Sequence, residues 1–224
     1  MTTIEKVLLT WSGGKDSAMA LHELQSIGGY EVLALLTTVT EQYDRVSMHG
    51  VRTVLLERQA ESLGLPVEKV LLRAGASNEE YEARMRDKLA GYQARGVSSV
   101  AFGDLFLEDV RQFREENLSR VGMRGLFPLW GRDTGELARS FIALGFRAVI
   151  TCVDSNLLDG AFVGRDFDEQ FLSELSPAVD PCGENGEFHS FVYDGPLFRS
   201  RILHERGEIV LRDSRFYYCD LIPM

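Results

Sequence analysis

Cysteines are few and long apolar runs are lacking, and each shortage excludes a class of protein. The 224 residues include 3 cysteines, an odd number without paired metal-ligand spacing: Cys152, Cys182 and Cys219. This pattern indicates neither a disulfide framework nor a structural zinc site, so we expect reduced thiols. No segment approaches the roughly 18 uninterrupted apolar residues of a membrane-spanning helix, and the first residues lack the charged-then-apolar order of a signal peptide. We therefore predict a cytoplasmic protein without a membrane partner.

Lysines and prolines are also scarce, and basic residues are outnumbered. Of 24 basic residues 4 are lysines, and 34 acidic residues give a formal net charge of -10. A field of that sign repels phosphate backbones, so we predict no extended nucleic-acid binding. A pocket for a small anion is still compatible with this charge, because a few backbone amides and one or two cations can hold a nucleotide. The 6 prolines and 21 glycines do not cluster, and 45% hydrophobic residues suffice for a buried core.

Strand-like and helix-like segments alternate through the first half of the chain. The predicted strands cover residues 7–10, 31–38, 67–72 and 97–102, and helical patterns separate them. Right-handed crossovers between such strands give an open, mostly parallel α/β sheet with crossover helices. The ligand crevice of this kind of sheet lies at the carboxyl ends of its strands.

The pattern changes beyond Asp154, and we place the start of a second unit at about residue 126. A short acidic helix is predicted over 166–175, and antiparallel strands are predicted over 188–193, 197–204 and 208–218, with a turn at Arg206-Gly207. We therefore predict two domains. Residues 1–125 form the unit with the parallel sheet, and residues 126–224 form a smaller α+β unit that receives the substrate or acceptor.

Residues 12–17, here called the phosphate loop, read Ser12-Gly13-Gly14-Lys15-Asp16-Ser17 and lie between the first strand and the first helix. Backbone N–H groups at a helix N-terminus point toward an anion, and glycines let the chain approach a phosphate closely. Lys15 supplies a charge, and Asp16 can hold Mg²⁺ at a diphosphate. The alternative is a glycine turn capped by Asp16 or Ser17. The complete string directly after a buried strand favours phosphate binding.

The phosphate loop resembles the PP-loop of the ATP pyrophosphatases. Three further stretches resemble the diphthine–ammonia ligase family (the diphthamide-synthase-type ATP-binding domain) in their order and separation: Ser47-Met48-His49, Gly103-Asp104 with Pro128-Leu129-Trp130, and Cys182 to Phe188. The family's most characteristic motif reads Glu-Gly-Gly-Glu-Tyr/Phe-Glu-Thr/Ser. Here Asn185 and His189 replace its second and sixth residues. The resemblance covers nearly the whole chain.

The resemblance implies a fold of the HUP type (PP-loop adenine nucleotide alpha hydrolase-like) and a ligase that uses ATP and Mg²⁺. Such an enzyme adenylates a carboxylate, releases pyrophosphate, and transfers ammonia while AMP leaves. Ammonium and a carboxylate acceptor are then its partners besides ATP. The acceptor is diphthine on elongation factor 2 in an archaeon or eukaryote, and otherwise an unknown small or protein-bound acid. A homodimer is the default for a small enzyme.

The same comparison assigns roles to individual residues. The implied catalytic residues are Lys15, Asp16, Glu184 and Glu187, and Asp16 is the implied metal ligand. The expected ATP-binding residues are Ser12, Gly13, Gly14, Lys15, Asp16, Ser17, Thr37, His49, Gly103 and Asp104.

Several of these residues have ordinary structural alternatives. Glu184 and Glu187 could form a solvated acidic turn, and Asp104 could cap the turn that follows it. His49 could simply begin a helix, and His189 could be a half-buried histidine.

Other functions stay open at the level of the sequence. One alternative is a sensor that binds ATP or AMP without turnover, and another is hydrolysis at the α-phosphate. A more distant alternative is tRNA thiolation through Cys182, which the widely separated cysteines and the acidic composition disfavour. Burial is the expected fate of Cys152 and Cys219.

Overall fold

The computed structural model describes residues 4–46 and 49–224, and within them the chain forms two β-sheets flanked by helices. The strands are β1 Glu5–Thr10, β2 Tyr30–Thr40, β3 Arg45–Val46, β4 Val67–Leu72, β5 Ser99–Ala101, β6 Arg124–Leu126, β7 Arg147–Asp154, β8 Phe188–Asp194, β9 His204–Arg212 and β10 Phe216–Pro223. The α-helices are α1 Lys15–Ile27, α2 Thr53–Leu63, α3 Asn78–Gln93, α4 Glu108–Ser119, α5 Thr134–Ala143 and α6 Glu169–Glu174.

Sheet A, formed by β1 to β6, is mostly parallel. β1 pairs in parallel with β2 on one side and with β5 on the other, and β6 continues the sheet beyond β5. β2 also pairs with β4 in parallel and with the short β3 in antiparallel orientation. The predicted open α/β sheet is therefore confirmed.

The apolar run of β1 explains its central place in sheet A. Val7, Leu8 and Leu9 are all 0% exposed, as expected for a parallel strand covered on both faces. Val7 and Leu9 belong to the core that includes residues of α1 and α2, whereas Leu8 belongs to the core that includes residues of α3 and α4. Successive side chains of the strand thus point to opposite, equally buried faces.

Sheet B is antiparallel, with the strand order β8-β7-β10-β9. The strand predicted over 197–204 is wrong. Gly195 begins a turn there, and Arg199 and Ser200 donate their backbone N–H groups to the Ser62 carbonyl (3.0 Å) and the Ser62 hydroxyl (3.0 Å) on α2. Backbone groups that bind a helix in this way are not free to form a strand ladder.

The turn predicted at Arg206-Gly207 and the single strand predicted over 208–218 are also wrong. Arg206 and Gly207 lie inside β9, and the chain reverses after Arg212. Asp213 and Ser214 both adopt a φ of 51° at this reversal. Asp is one of the few non-glycine residues that tolerate the left-handed conformation. The turn therefore forms at Asp213 without a glycine, whereas we expected it at Gly207.

The helix α1 joins the two sheets. It packs against β1 and β2 of sheet A and against β8 of sheet B. The phosphate loop, which immediately precedes α1, therefore lies where both sheets meet. The division predicted between residues 125 and 126 falls inside β6, before its last residue, and it stays a prediction. Among the described residues, none of the helices combines the length and the apolar character needed to cross a bilayer.

Candidate active site

A cavity of about 380 Å³ lies at the carboxyl ends of the sheet A strands and is closed on its other side by residues from the segment 183–190. Most of the predicted site residues line it: Ser12, Gly14, Lys15, Asp16, Ser17, Thr37, His49, Gly103, Asp104 and Glu184. Gly13 and Glu187 are not among the lining residues. Ser47 and Met48 of the predicted Ser-Met-His stretch lie outside the described residues.

The phosphate loop leaves the N-terminus of α1 open toward this cavity. Gly14 is the N-cap residue, and as a glycine it has no side chain that could cap α1. The Ser17 hydroxyl donates to the Gly14 carbonyl (2.8 Å), and the Gly14 N–H donates to the Ser12 hydroxyl (3.2 Å). Ser17 thus supports the turn itself, and phosphate binding by the loop stays a prediction. A helix N-terminus with hydroxyl groups around it is suited to bind an anion.

Lys15 brings a buried positive charge to the loop. Its side chain is 4% exposed, and its ammonium contacts both carboxylate oxygens of Asp16, at 2.8 and 3.0 Å. The ammonium also donates to the Cys182 carbonyl across the cavity. Burial is the largest single influence and lowers the pKa of Lys15, but Asp16, Cys182 and Glu184 together outweigh it and raise that pKa. Lys15 is thus protonated at neutral pH.

Glu184 faces the phosphate loop from the segment before β8. Its Oε1 accepts the Leu105 N–H at 2.7 Å, which fixes the carboxylate beside the residues that follow β5. Burial raises the pKa of Glu184 to about 7; the nearby Asp16 and Asp104 add to the rise, and the Leu105 N–H opposes it. A carboxyl group with this pKa can exchange a proton near neutral pH, which a solvated acidic turn does not offer.

Glu187 is buried beside the cavity loop and does not line the cavity as Glu184 does. Its Oε1 accepts the Asp180 N–H (2.9 Å) and the Asn185 side-chain amide (3.1 Å). Its Oε2 has no hydrogen-bond partner in the described part of the chain. Asp180 in turn accepts the N–H groups of Cys182 and Glu184. Glu187 therefore holds the loop that carries Glu184, and Asn185 takes part in that support.

Two histidine rings lie close together in the wall of the cavity. The rings of His49 and His189 lie 4.4 Å apart with a tilt of 40°. Burial lowers the pKa of His189 to about 4 and lowers that of His49 well below its ordinary value, with His189 adding to the effect on His49. Both imidazoles are therefore neutral at pH 7. His49 Nδ1 and Thr37 Oγ1, from two residues that line the cavity, are buried without a hydrogen-bond partner among the described residues, so both atoms can bond a polar ligand.

Sequence reasoning missed Arg114, which also lines the cavity. Arg114 lies on α4 and forms an ion pair with Asp104 (2.6 Å). Asp104 thus binds the Arg114 guanidinium and does not serve only as a turn cap. Ser190 was missed as well, and its hydroxyl accepts the Lys15 N–H at 3.2 Å. Neither residue belongs to a sequence motif, because only the folded chain brings Arg114 next to Asp104 and Ser190 next to Lys15.

The donor set fits Mg²⁺ only together with a substrate. Among the residues described, no group of three or more His, Cys, Asp and Glu side chains could hold a metal ion. Mg²⁺ is commonly held by one or two carboxylates plus substrate phosphates and water. Asp16, which lines the cavity with its side chain 30% exposed, is the carboxylate that would contact the ion.

The three cysteines are free thiols and all are buried, as predicted for Cys152 and Cys219. Burial raises the pKa of Cys152 to about 11 and also raises that of Cys182. A buried thiol with a raised pKa is a poor nucleophile, which disfavours sulfur transfer through Cys182.

Comparison with known proteins agrees with these features. The family model of the "Diphthamide synthase N-terminal domain" matches residues 5–125, and that of the "Diphthamide synthase C-terminal domain" matches residues 133–220. The human protein named diphthine–ammonia ligase is 28% identical over 226 residues, which cover 91% of this chain and 84% of that protein.

Two further relatives carry the same name. The Danio rerio protein is 28% identical over 225 residues, covering 91% of this chain and 88% of its own length. The Schizosaccharomyces pombe protein is 28% identical over 229 residues, covering 93% of this chain and 38% of its own, longer sequence. With both domain models matched in order, the chain belongs to the diphthamide synthase family and is an ATP-dependent ligase.

Proposed function

We propose that this protein joins ammonia to a carboxylate at the expense of ATP, with AMP and pyrophosphate as products. The observation that supports the proposal is the meeting of three groups in one cavity: the open N-terminus of α1, the Lys15–Asp16 pair and Glu184. Relatives across the family are named for ammonia transfer to diphthine. A carboxylate of the diphthine kind is accordingly the proposed acceptor.

In the proposed reaction the phosphate loop binds the pyrophosphate part of ATP. An acceptor carboxylate oxygen attacks the α-phosphorus, and the bond to the bridging oxygen of pyrophosphate breaks. Lys15 and the N–H groups of α1 neutralise the charge that develops on the phosphate oxygens. Mg²⁺ at Asp16 would supply further charge neutralisation.

Ammonia then attacks the carbonyl carbon of the acyl adenylate, and AMP leaves with the oxygen it received from the acceptor. Ammonium must lose a proton before its nitrogen can attack. Glu184, as a carboxylate with a pKa near neutrality, is the proposed proton acceptor. Its negative charge also attracts ammonium to the cavity, while Glu187 supports Glu184 through the loop around Asp180.

Titration calorimetry of Mg·ATP tests the site without an acceptor. Wild type is expected to bind in the roughly micromolar to millimolar range typical of enzyme substrates. Asp16→Ala and Ser12→Ala should each weaken binding about tenfold or more, since each removes a group that contacts the phosphates or their metal. Ser26→Ala serves as the control, because Ser26 lies on α1 but its hydroxyl bonds only the His22 carbonyl in the described structure. Equal affinity in all four proteins would contradict the proposed site.

A further inference from the structure

Gln59 is a buried polar residue that the chemistry described above does not use. It lies on α2, is 0% exposed, and forms three hydrogen bonds through its side-chain amide. Its Oε1 accepts the Trp11 indole N–H at 2.9 Å. Its Nε2 donates to the carbonyl oxygens of Gly13 (3.0 Å) and Val192 (2.6 Å). One side chain thus links α2, the phosphate loop and β8 of sheet B.

The Gly13 carbonyl is the critical partner. It accepts Gln59 Nε2 and also the backbone N–H of Val192, at 2.8 Å, so two donors hold it away from the cavity. The described chain contains no cis peptide bond, and in a trans peptide the carbonyl and the following N–H point in opposite directions. The Gly14 N–H is therefore held on the other side of this peptide, where Ser12 and Gly14 line the cavity and the Ser12 hydroxyl accepts this N–H at 3.2 Å.

The Gln59 side chain packs closely against Gly13. Gly13 has a φ of 81°, which favours glycine, and a Cβ atom placed there would lie 2.7 Å from Gln59 Oε1. A glycine in this conformation has low barriers to rotation of its flanking peptides. The bonds from Gln59 and Val192 to the Gly13 carbonyl, together with the local bond from the Gly14 N–H to Ser12, then select the orientation of this peptide.

We propose that Gln59 is a positioning residue that sets the orientation of the Gly13–Gly14 peptide for anion binding. The proposal rests on the proposed function in one respect, namely that the anion is the pyrophosphate part of ATP. Without the two N–H donors of Gln59, the carbonyls of Gly13 and Val192 lose a shared partner. A flip of the peptide then replaces an N–H donor with a carbonyl dipole facing the anion, which repels it.

Gln59 also connects the phosphate loop to the second sheet. Ser190, two residues before Val192 on β8, accepts the Lys15 N–H, so β8 contacts the loop on either side of Gly14. The Gln59 amide closes this arrangement from α2.

Two substitutions at Gln59 and one control separate positioning from general stabilisation. Gln59→Met keeps the size of the side chain and removes all three hydrogen bonds. Gln59→Glu keeps the acceptor for Trp11, and as a buried acid facing two carbonyls it offers at most one O–H donor in place of the two N–H donors of the amide. Ser62→Ala is the matched control, because Ser62 is also a buried polar residue of α2. Ser62 bonds Ser200, between β8 and β9, and makes no hydrogen bond to the phosphate loop.

The affinity for inorganic pyrophosphate and for Mg·ATP is measured by calorimetry, and stability is measured by denaturant unfolding. We expect both Gln59 variants to bind about tenfold more weakly or worse, as for a lost hydrogen bond to a charged ligand. Ser62→Ala should bind as wild type does even though it is less stable. Wild-type affinity in Gln59→Met, or equal weakening in Ser62→Ala, would overturn the proposal. If Gln59→Met does not fold, Gln59→Glu gives the same test.

The ¹⁵N NMR signal of the Gly14 amide in nucleotide-free protein tests the same orientation without any ligand. It should shift in both Gln59 variants and stay in place in Ser62→Ala, whereas unchanged signals in the Gln59 variants would overturn the proposal. If wild type bound neither pyrophosphate nor ATP, the proposed function would fail. The Gly14 signal would still decide whether Gln59 orients the peptide.

Discussion

Lys15→Met is expected to lower the rate of AMP formation about 100-fold or more, because it removes a preorganised charge from the phosphate loop. The Lys15 ammonium is buried and held by Asp16 and the Cys182 carbonyl, so no reorganisation is needed when phosphate charge develops. The measurement is AMP release at saturating Mg·ATP, ammonium and diphthine-bearing elongation factor 2. A thermal melt of each protein confirms that it is folded.

Lys69→Met is the control for this substitution. Lys69 pairs with Glu57 on the surface of β4 and α2, and it does not line the cavity. Surface ion pairs contribute little to stability, so this variant should keep both its fold and its rate. A rate for Lys15→Met within a few-fold of that for Lys69→Met would show that Lys15 serves the fold and not the reaction.

Glu184→Gln is expected to reduce amide formation about 100-fold, within the range for loss of a general base. Glutamine can still accept the Leu105 N–H through its Oε1, so the local structure should persist. Because Glu184 acts in the second step, the variant should still form AMP and pyrophosphate, with the acyl adenylate lost slowly to water. In wild type, the rate of amide formation at a fixed ammonia concentration should rise with pH through about 7 and then level off.

Glu184→Gln is expected to lower the reaction rate but to raise the stability of the fold at high pH. The pKa of Glu184 is higher in the folded protein, about 7, than the ordinary value of 4.5, so the folded state retains a proton that the unfolded state has lost. Stability from this group is therefore lost as pH rises between these two values. We expect Glu184→Gln to be more stable than wild type at about pH 8 and equal to it at about pH 4.

Denaturant midpoints at both pH values test the stability effect. Glu115→Gln, on the exposed face of α4, is the control and should change neither midpoint nor rate. A Glu184→Gln protein that is less stable at the higher pH would mean that the carboxylate is stabilised in the fold. A variant that keeps the wild-type rate of amide formation would exclude Glu184 as the proton acceptor.

The phosphate loop could be predicted because its information is local. A buried strand, two glycines and a helix lie within one short stretch of the chain, so neighbouring residues are enough to indicate the order of these parts. The partners that hold the loop could not be predicted. Gln59 lies 46 residues from Gly13, and Ser190 lies 175 residues from Lys15, so only the completed fold brings them together.

The two glutamates show the same limit within one motif. Glu184 and Glu187 are equivalent in the sequence, as two carboxylates beside a glycine. In the fold, Glu184 lines the cavity and Glu187 binds the backbone of its own loop. The strands of sheet B were also harder to predict than those of sheet A. Their ends depend on contacts such as that between Ser62 and Ser200, which no periodicity encodes.

The most direct test of the central proposal follows an oxygen atom from the acceptor into AMP. Diphthine-bearing elongation factor 2 with an ¹⁸O-labelled carboxylate is incubated with wild-type protein, Mg·ATP and ammonium, and the products are examined by ³¹P NMR. Adenylation of the carboxylate predicts AMP and pyrophosphate in equal amounts, with one ¹⁸O atom on the AMP phosphorus. AMP without ¹⁸O, or ADP and phosphate as the products, would contradict the proposed reaction.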